Sequence, residues 1–261
     1  MKLICFLGLL AGIEANATPI AFQSSERHTS LLELYTSEGC SSCPPAEEWL
    51  SELKTKPGLW SEFVPVAFHV DYWNNPRWND RFSSAEFTAR QQAYAQAWSA
   101  DTVYTPEFVL DGKEWHDWFG MRGTPGLSSI KTGVLQAGSS DGKHWQVNFV
   151  PTKTGATDYE VTAALLASDV GPDVTGGENE GRHLNHNFAA LSLITRPLTS
   201  QTNGWDGQFI VDLNPKGITG HLALAVWVTR NGHLEPLQAT GGWLPQPEKI
   251  NSSANQPAQI K

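Results

Sequence analysis

Leu31 to Tyr35 is a short apolar run that ends in the turn-like cluster Ser37-Glu38-Gly39-Cys40-Ser41-Ser42, a pattern that predicts a short strand. From about Ser42 to Lys54 the residues Ala46, Trp49, Leu50 and Leu53 recur at three- and four-residue spacings. They define one face of a helix that Pro57-Gly58 terminates. Val64 to Val70, rich in β-branched and aromatic residues, reads as a buried strand, and two strands flanking a helix predict a right-handed parallel crossover. After a polar, Trp-rich loop from Asp71 to Ser84, the residues from Ala85 to about Ser99 compose an alanine-rich helix. Thr105-Pro106 then enters a short strand that ends in an Asp111-Gly112 hairpin turn and returns through a strand around Trp115. A last helix is predicted from about Pro125 to Gln136. Gly138-Ser139-Ser140-Asp141-Gly142 reads as a domain boundary.

Beyond it the pattern is β throughout: His144 to Val150, Tyr159 to Ala167, Phe188 to Arg196, Gln208 to Leu213 and Leu222 to Arg230. Trp145, Val147 and Phe149 alternate with Gln146, Asn148 and Val150, as expected of an antiparallel sheet or sandwich. The expected organisation is an α/β domain over 28–138 and a β-rich C-terminal domain over 143–240. Residues 246–261, polar and rich in Pro, Ser and Asn, read as a disordered tail.

The first 17 residues change the chemical setting. Lys2 is a basic n-region, Leu3 to Ile13 an apolar h-region, and Ala15-Asn16-Ala17 a small-x-small cleavage site, so a signal peptide cut near Ala17 is expected. The apolar stretch is shorter than the ~20 residues of a membrane span, and no later segment approaches that length. A secreted or periplasmic product follows, without an integral membrane segment. Cys5 would leave with the signal, and Cys40 and Cys43 would remain. The net charge of −9, with no Lys/Arg cluster, argues against nucleic acid as a partner. Seven of the eleven tryptophans fall between Trp49 and Trp118, which suggests core and loop packing first and an aromatic binding face second.

Cys40-Ser41-Ser42-Cys43 lies between a predicted strand and helix. A disulfide closing so short a loop would contribute only about 2 kcal/mol by chain entropy, a poor structural staple. Two thiols at a helix start suit thiol-disulfide exchange: the first attacks, and the second resolves the mixed disulfide. Cys40, just before the helix, is the expected exposed nucleophile, and Cys43 the buried resolving thiol. Glu38, Glu47 and Glu48 would oppose thiolate formation if close. Metal binding or an inert disulfide are the alternatives.

The order of strand, C-x-x-C, helix, strand, helix and Thr-Pro strand entry resembles the thioredoxin superfamily. The resemblance implies a cis Thr105-Pro106 bond in a loop facing the cysteines, with Tyr104 beside it, to hold a substrate's extended backbone. More closely, Leu34-Tyr35-Thr36-Ser37-Glu38-Gly39-Cys40-Ser41-Ser42-Cys43-Pro44-Pro45-Ala46, His69-Val70-Asp71-Tyr72-Trp73, Arg90-Gln91, Tyr104-Thr105-Pro106 and Gly177-Glu178-Asn179-Glu180-Gly181-Arg182-His183-Leu184 with His186 resemble a family of bacterial secreted thioredoxin-like proteins. That family is known as domain of unknown function 1223. The resemblance covers most of the mature chain and implies a thioredoxin-like N-terminal domain followed by the C-terminal antiparallel β unit.

His69 and Asp71 alternate on a strand beside the one leading to Cys40, where they would serve as proton relay, metal ligands or structural residues. Trp73 and Trp78 either wall the cysteine site or anchor their own loop. Glu178, Arg182 and His186 suggest a salt-bridged loop docking the β unit. The expected function is thiol-disulfide exchange through Cys40 and Cys43, with Tyr104, Thr105, Pro106 and Trp73 binding substrate. Partners would be protein or peptide thiols and disulfides and a redox partner. Competing readings are a soft-metal (copper) carrier and a non-catalytic peptide-binding module. No Met-rich or His-rich tract reinforces a metal site, so no metal ligands are assigned. No phosphate loop or dinucleotide fingerprint is present, so no organic cofactor is expected.

Overall fold

The computed structural model describes residues 19–118, 124–126, 128–153, 158–171, 173–215 and 217–246. The expected signal peptide and all but the first residue of the expected tail lie outside them. The elements are β1 (Ile20–Gln23), β2 (Ser30–Thr36), α1 (Pro44–Glu52) continued by a 3-10 turn (Leu53–Thr55), β3 (Phe63–His69), α2 (Ala85–Trp98), β4 (Glu107–Leu110), β5 (Lys113–Glu114), β6 (Gly133–Ser139), β7 (His144–Pro151), β8 (Tyr159–Ser168), β9 (Ala189–Pro197), β10 (Thr199–Gln201), β11 (Gly204–Ile210), β12 (His221–Arg230) and β13 (Pro236–Trp243). The fold is mixed α/β, mostly sheet with few helices. Among the described residues no helix is long and apolar enough to cross a membrane.

Two sheets carry the structure: one of eight strands in the order β13-β12-β8-β9-β3-β2-β4-β5, and one of five in the order β1-β6-β7-β11-β10. β2 and β3 are parallel, joined through α1, while β4 returns antiparallel to β2. The larger sheet takes strands from both sides of the 138–142 segment, because β9 pairs parallel to β3 at Ala67 and Ala189 and β8 and β12 continue outward from it. Gly138–Gly142, expected as a boundary, spans the β6–β7 hairpin connection.

The helix predicted from about Pro125 to Gln136 does not form: Gly133–Ser139 is strand β6, flanked by β1 and β7. Leu135 and Ala137 point inward while Gln136 points to solvent, a period of two that cross-strand pairing selects over the helical reading. The inner face of the five-stranded sheet packs on β8 and β12 through Trp145, Val147, Phe149, Val161, Leu165 and Val226.

α1 and α2 cover opposite faces of β2. Thr36 faces α1 and donates to Glu47, whereas Glu33 and Tyr35 face α2. On the α2 side Arg90 makes a two-pronged contact to the fully buried Glu33, Nε to Oε2 at 2.6 Å and Nη2 to Oε1 at 3.0 Å. Tyr94 and Tyr35 hydroxyls donate to the same carboxylate, and the guanidinium lies over the Trp227 ring of β12. Most of the tryptophans between Trp49 and Trp118 are half-buried against this core, so packing is their main role.

Breaking a buried ion pair from one side costs about 3–5 kcal/mol, because the remaining charge has no water. Glu33→Gln is therefore expected to lower unfolding free energy by about that amount in denaturant titrations, and the Glu33→Leu/Arg90→Leu double variant to recover most of it. Equal losses in the single and double variants would contradict this.

Candidate functional site

The loop after β2 carries the cysteine pair to the start of α1. Cys43 is the N-cap and Pro44 and Pro45 fill the first turn, where their missing N–H groups cost nothing. Cys40 and Cys43 are disulfide-bonded with Cα atoms 5.5 Å apart. Thr105-Pro106 is a cis peptide bond. Its Thr105 carbonyl oxygen lies 3.7 Å from Cys40 Sγ, while Trp73 Nε1 donates to Thr105 Oγ1 at 2.9 Å. Cys40, Thr105 and Trp73 thus meet at one point. Tyr104 stays exposed, its hydroxyl donating to Glu114 Oε1 at 2.5 Å.

The structure departs from expectation at Cys40, which is only 1% exposed. The cover is the connection between β8 and β9. Glu178 accepts hydrogen bonds from the Ser41 amide at 3.0 Å and its hydroxyl at 2.6 Å. Asn179 Nδ2 donates to the carbonyls of Glu38 and Cys40, and Arg182 holds the Asn179 amide oxygen. Gly177 adopts φ +79°, and a Cβ there would fall 2.9 Å from Gly39 Cα, so only glycine permits this backbone contact. Trp78 packs with Val174 and Leu184 of the same connection and against Gly39. The sequence motif 177–186 contained these contacts, but nothing local indicated that it would lie over the cysteines.

Beneath this strap lies a buried group of ionisable side chains. His186 donates from Nδ1 to Glu47 Oε2 at 2.5 Å and from Nε2 to Glu38 Oε1 at 3.2 Å. Burial alone would depress its pKa, but the Glu47 charge and hydrogen bonds to both carboxylates raise it to about 10. Burial disfavours the Glu47 carboxylate, and His186 outweighs that to hold its pKa below the ordinary value. His69, at the end of β3 on the α1 face, bonds through Nδ1 to Asp80 Oδ2 at 2.7 Å. Asp80 also accepts from the amides of Glu38 and Phe82. The imidazoles of His69 and His186 meet edge to face, 4.8 Å between centroids. Ligand atoms of Glu47, His69 and His186 all lie within 4.8 Å of one another. Asp71, expected beside His69, turns instead to the start of α2, where its carboxylate accepts from Thr88 Oγ1 at 2.6 Å. The sequence offered Glu47 only as a charge near the cysteines and Asp80 not at all: the His186 partner of Glu47 is distant in the chain, and Asp80 sits in the loop that follows β3. Glu48 is exposed.

Under the cis-proline loop, Gln91 Nε2 donates to the Tyr104 carbonyl at 2.7 Å and to Glu107 Oε2 at 2.5 Å.

The chain belongs to the family described as Protein of unknown function (DUF1223), which it matches over residues 31–229. No curated protein matches it. Two solved structures are similar in fold. Protein AGR_C_4864 from Agrobacterium tumefaciens has a TM-score of 0.58 at 22% identity, covering 90% of this chain and 100% of that one. HBP35 of Porphyromonas gingivalis has a TM-score of 0.57 at 13% identity, covering 91% and 81%.

Burial is the main force on the Glu107 carboxyl and, with the nearby Glu114 charge, it outweighs the Gln91 hydrogen bond and raises the pKa to about 7. The unfolded chain ionises this group near 4.5, so folding favours its protonated form. Its contribution is full below that value and lost as pH rises through about 7. Glu107→Gln should therefore gain stability relative to the parent as pH is raised from 4.5 to 7, read as diverging thermal midpoints. A constant difference across that range would contradict the raised pKa.

Proposed function

We propose that this protein is an exported thioredoxin-like thiol-disulfide oxidoreductase acting on protein or peptide disulfides through Cys40 and Cys43. The observation that carries the reading is the juxtaposition of the cysteine pair at the start of α1 with the cis Thr105-Pro106 loop across 3.7 Å. A substrate strand laid along that loop brings its sulfur toward Cys40. In the reduced protein, the dipole at the start of α1 favours the Cys40 thiolate. The thiolate attacks a substrate disulfide, forming a mixed disulfide and releasing one substrate thiolate. Cys43 then attacks Cys40 Sγ, closes the internal disulfide and releases the second thiolate. Two electrons pass to the substrate, and the reverse sequence oxidises a dithiol.

Trp73 fixes the Thr105 side chain, Gln91 fixes the Tyr104 carbonyl, and half-exposed Tyr104 flanks the approach. The strap over Cys40 has to move aside before a protein substrate docks. The hydrogen bonds that Ser41 donates to Glu178 are exposed to water and so easily exchanged, and the Asn179 bonds and Trp78 packing are released with them. That cover also favours a second reading, in which the groove binds peptides and the disulfide is inert.

Cys43→Ser is expected to accumulate mixed disulfides through Cys40 when incubated with oxidised glutathione or a disulfide-containing peptide, detected as mass adducts. Cys40→Ser should form at least about tenfold fewer, because it is Cys40 that faces the Thr105-Pro106 loop along which the substrate lies. Absence of adducts on the folded Cys43→Ser protein would favour the binding reading.

A further inference from the structure

We propose that Glu47, His69 and His186 form a binding site for one divalent cation of the zinc type, separate from the cysteine pair.

The donor set is two imidazoles and one carboxylate, brought together from α1, the end of β3 and the segment before β9, with ligand atoms within 4.8 Å of one another. Nitrogen and oxygen donors in this ratio suit zinc and neighbouring first-row ions rather than the hard, all-oxygen environments of calcium and magnesium. The group is sealed from water: His69 is 0% exposed and His186 1%. Such a composition makes a poor structural core, since three carboxylates, Glu38, Glu47 and Asp80, face two imidazoles. Among the described residues no Lys or Arg forms an ion pair with any of the three.

The independent indication is His69 Nε2, a buried ring nitrogen with no hydrogen-bond partner. A buried polar atom left unpaired costs about 1–3 kcal/mol, so it calls for a physical reason. Asp80 supplies one. Its carboxylate accepts from His69 Nδ1 at 2.7 Å, which in the neutral ring places the proton on Nδ1 and leaves Nε2 with a free lone pair. Asp80 is itself held by the Glu38 and Phe82 amides, so the imidazole is fixed from behind. A carboxylate on the far nitrogen of a ligating histidine is the arrangement that orients the ring and raises its basicity.

His186 repeats the pattern. Glu38 accepts from Nε2 at 3.2 Å, and Nδ1 faces Glu47. The proton that His186 now shares with Glu47 occupies the place a cation would take, and binding releases it to solvent. With zinc-ligand bonds of about 2.0–2.2 Å in a tetrahedron, donors stand roughly 3.4 Å apart, so Glu47 and His186, now 2.5 Å apart, separate by roughly an ångström as the ion replaces their shared proton, while the widest-spaced donors draw in. An ion there joins the β8–β9 connection to α1 and β3, so it fastens the strap's base without touching sulfur.

The test uses the oxidised full chain, stripped with a chelator and refolded at pH 8 with and without Zn²⁺. One ion per chain is expected by native mass spectrometry, with a raised thermal midpoint and an X-ray absorption spectrum of nitrogen and oxygen neighbours only. The Cys40→Ser/Cys43→Ser double variant should retain the ion, and His69→Gln should weaken binding at least about tenfold. Failure of the folded parent to retain zinc, a sulfur shell in its spectrum, or undiminished binding by folded His69→Gln would overturn the assignment. If His69→Gln does not fold, the parent spectrum and the double variant decide the matter.

Discussion

The contact on which the site depends is His186 held between Glu38 and Glu47. β9 pairs with β3 at a single position, Ala67 with Ala189, a slender join for a sheet of eight strands. Three residues before β9, His186 reaches across to the loop before Cys40 and to the first turns of α1, and charge-assisted hydrogen bonds on both nitrogens fix it. Removing either carboxylate would strand a buried charge. The arrangement therefore determines where the β8–β9 connection lies more than it adds to net stability. Once that connection is anchored, Asn179 and Glu178 reach the Cys40 loop and Gly177 meets Gly39.

The two faces of β2 divide the labour. On the α2 side Arg90, Glu33, Tyr35 and Tyr94 form a satisfied ionic core that ties α2 to the sheet, and Gln91, one residue on, reaches the cis-proline loop. On the α1 side Thr36, Glu47 and His69 line the floor beneath the cysteine loop. The disulfide thus sits between a rigid floor, a proline loop fixed by Trp73 and Gln91, and a strap held from above. In the proposed exchange reaction the floor and proline loop stay in place, and the strap is the part that yields.

Much of this was legible along the chain where the determinants are local. The strands at Leu31 and Val64, the helix after Cys43 and the helix after Ser84 followed from apolar spacing and from their caps and breakers. The segment before Ser139 misled because Val134, Leu135 and Ala137 suit either period over so short a span, and only its pairing with β1 and β7 decides between them. The cover over Cys40 was not legible for a different reason. It rests on contacts spanning well over a hundred residues, such as Ser41 with Glu178, and no local pattern encodes which loop will lie on which. Asp80 lies only eleven residues past His69, but in an irregular loop with no period to show which side chain turns back, and Asp71, nearer in the chain, was the residue the sequence position suggested.

The most direct test of the proposed function is the thiol-disulfide equilibrium of the intact protein in a glutathione series, read by alkylating free thiols at each ratio. The account predicts a reversible two-electron transition in which Cys40 and Cys43 open and close together, at a potential between about −120 and −270 mV, the range of known exchange proteins. A pair that stays closed at poises below about −300 mV would behave as a structural disulfide and would contradict the account.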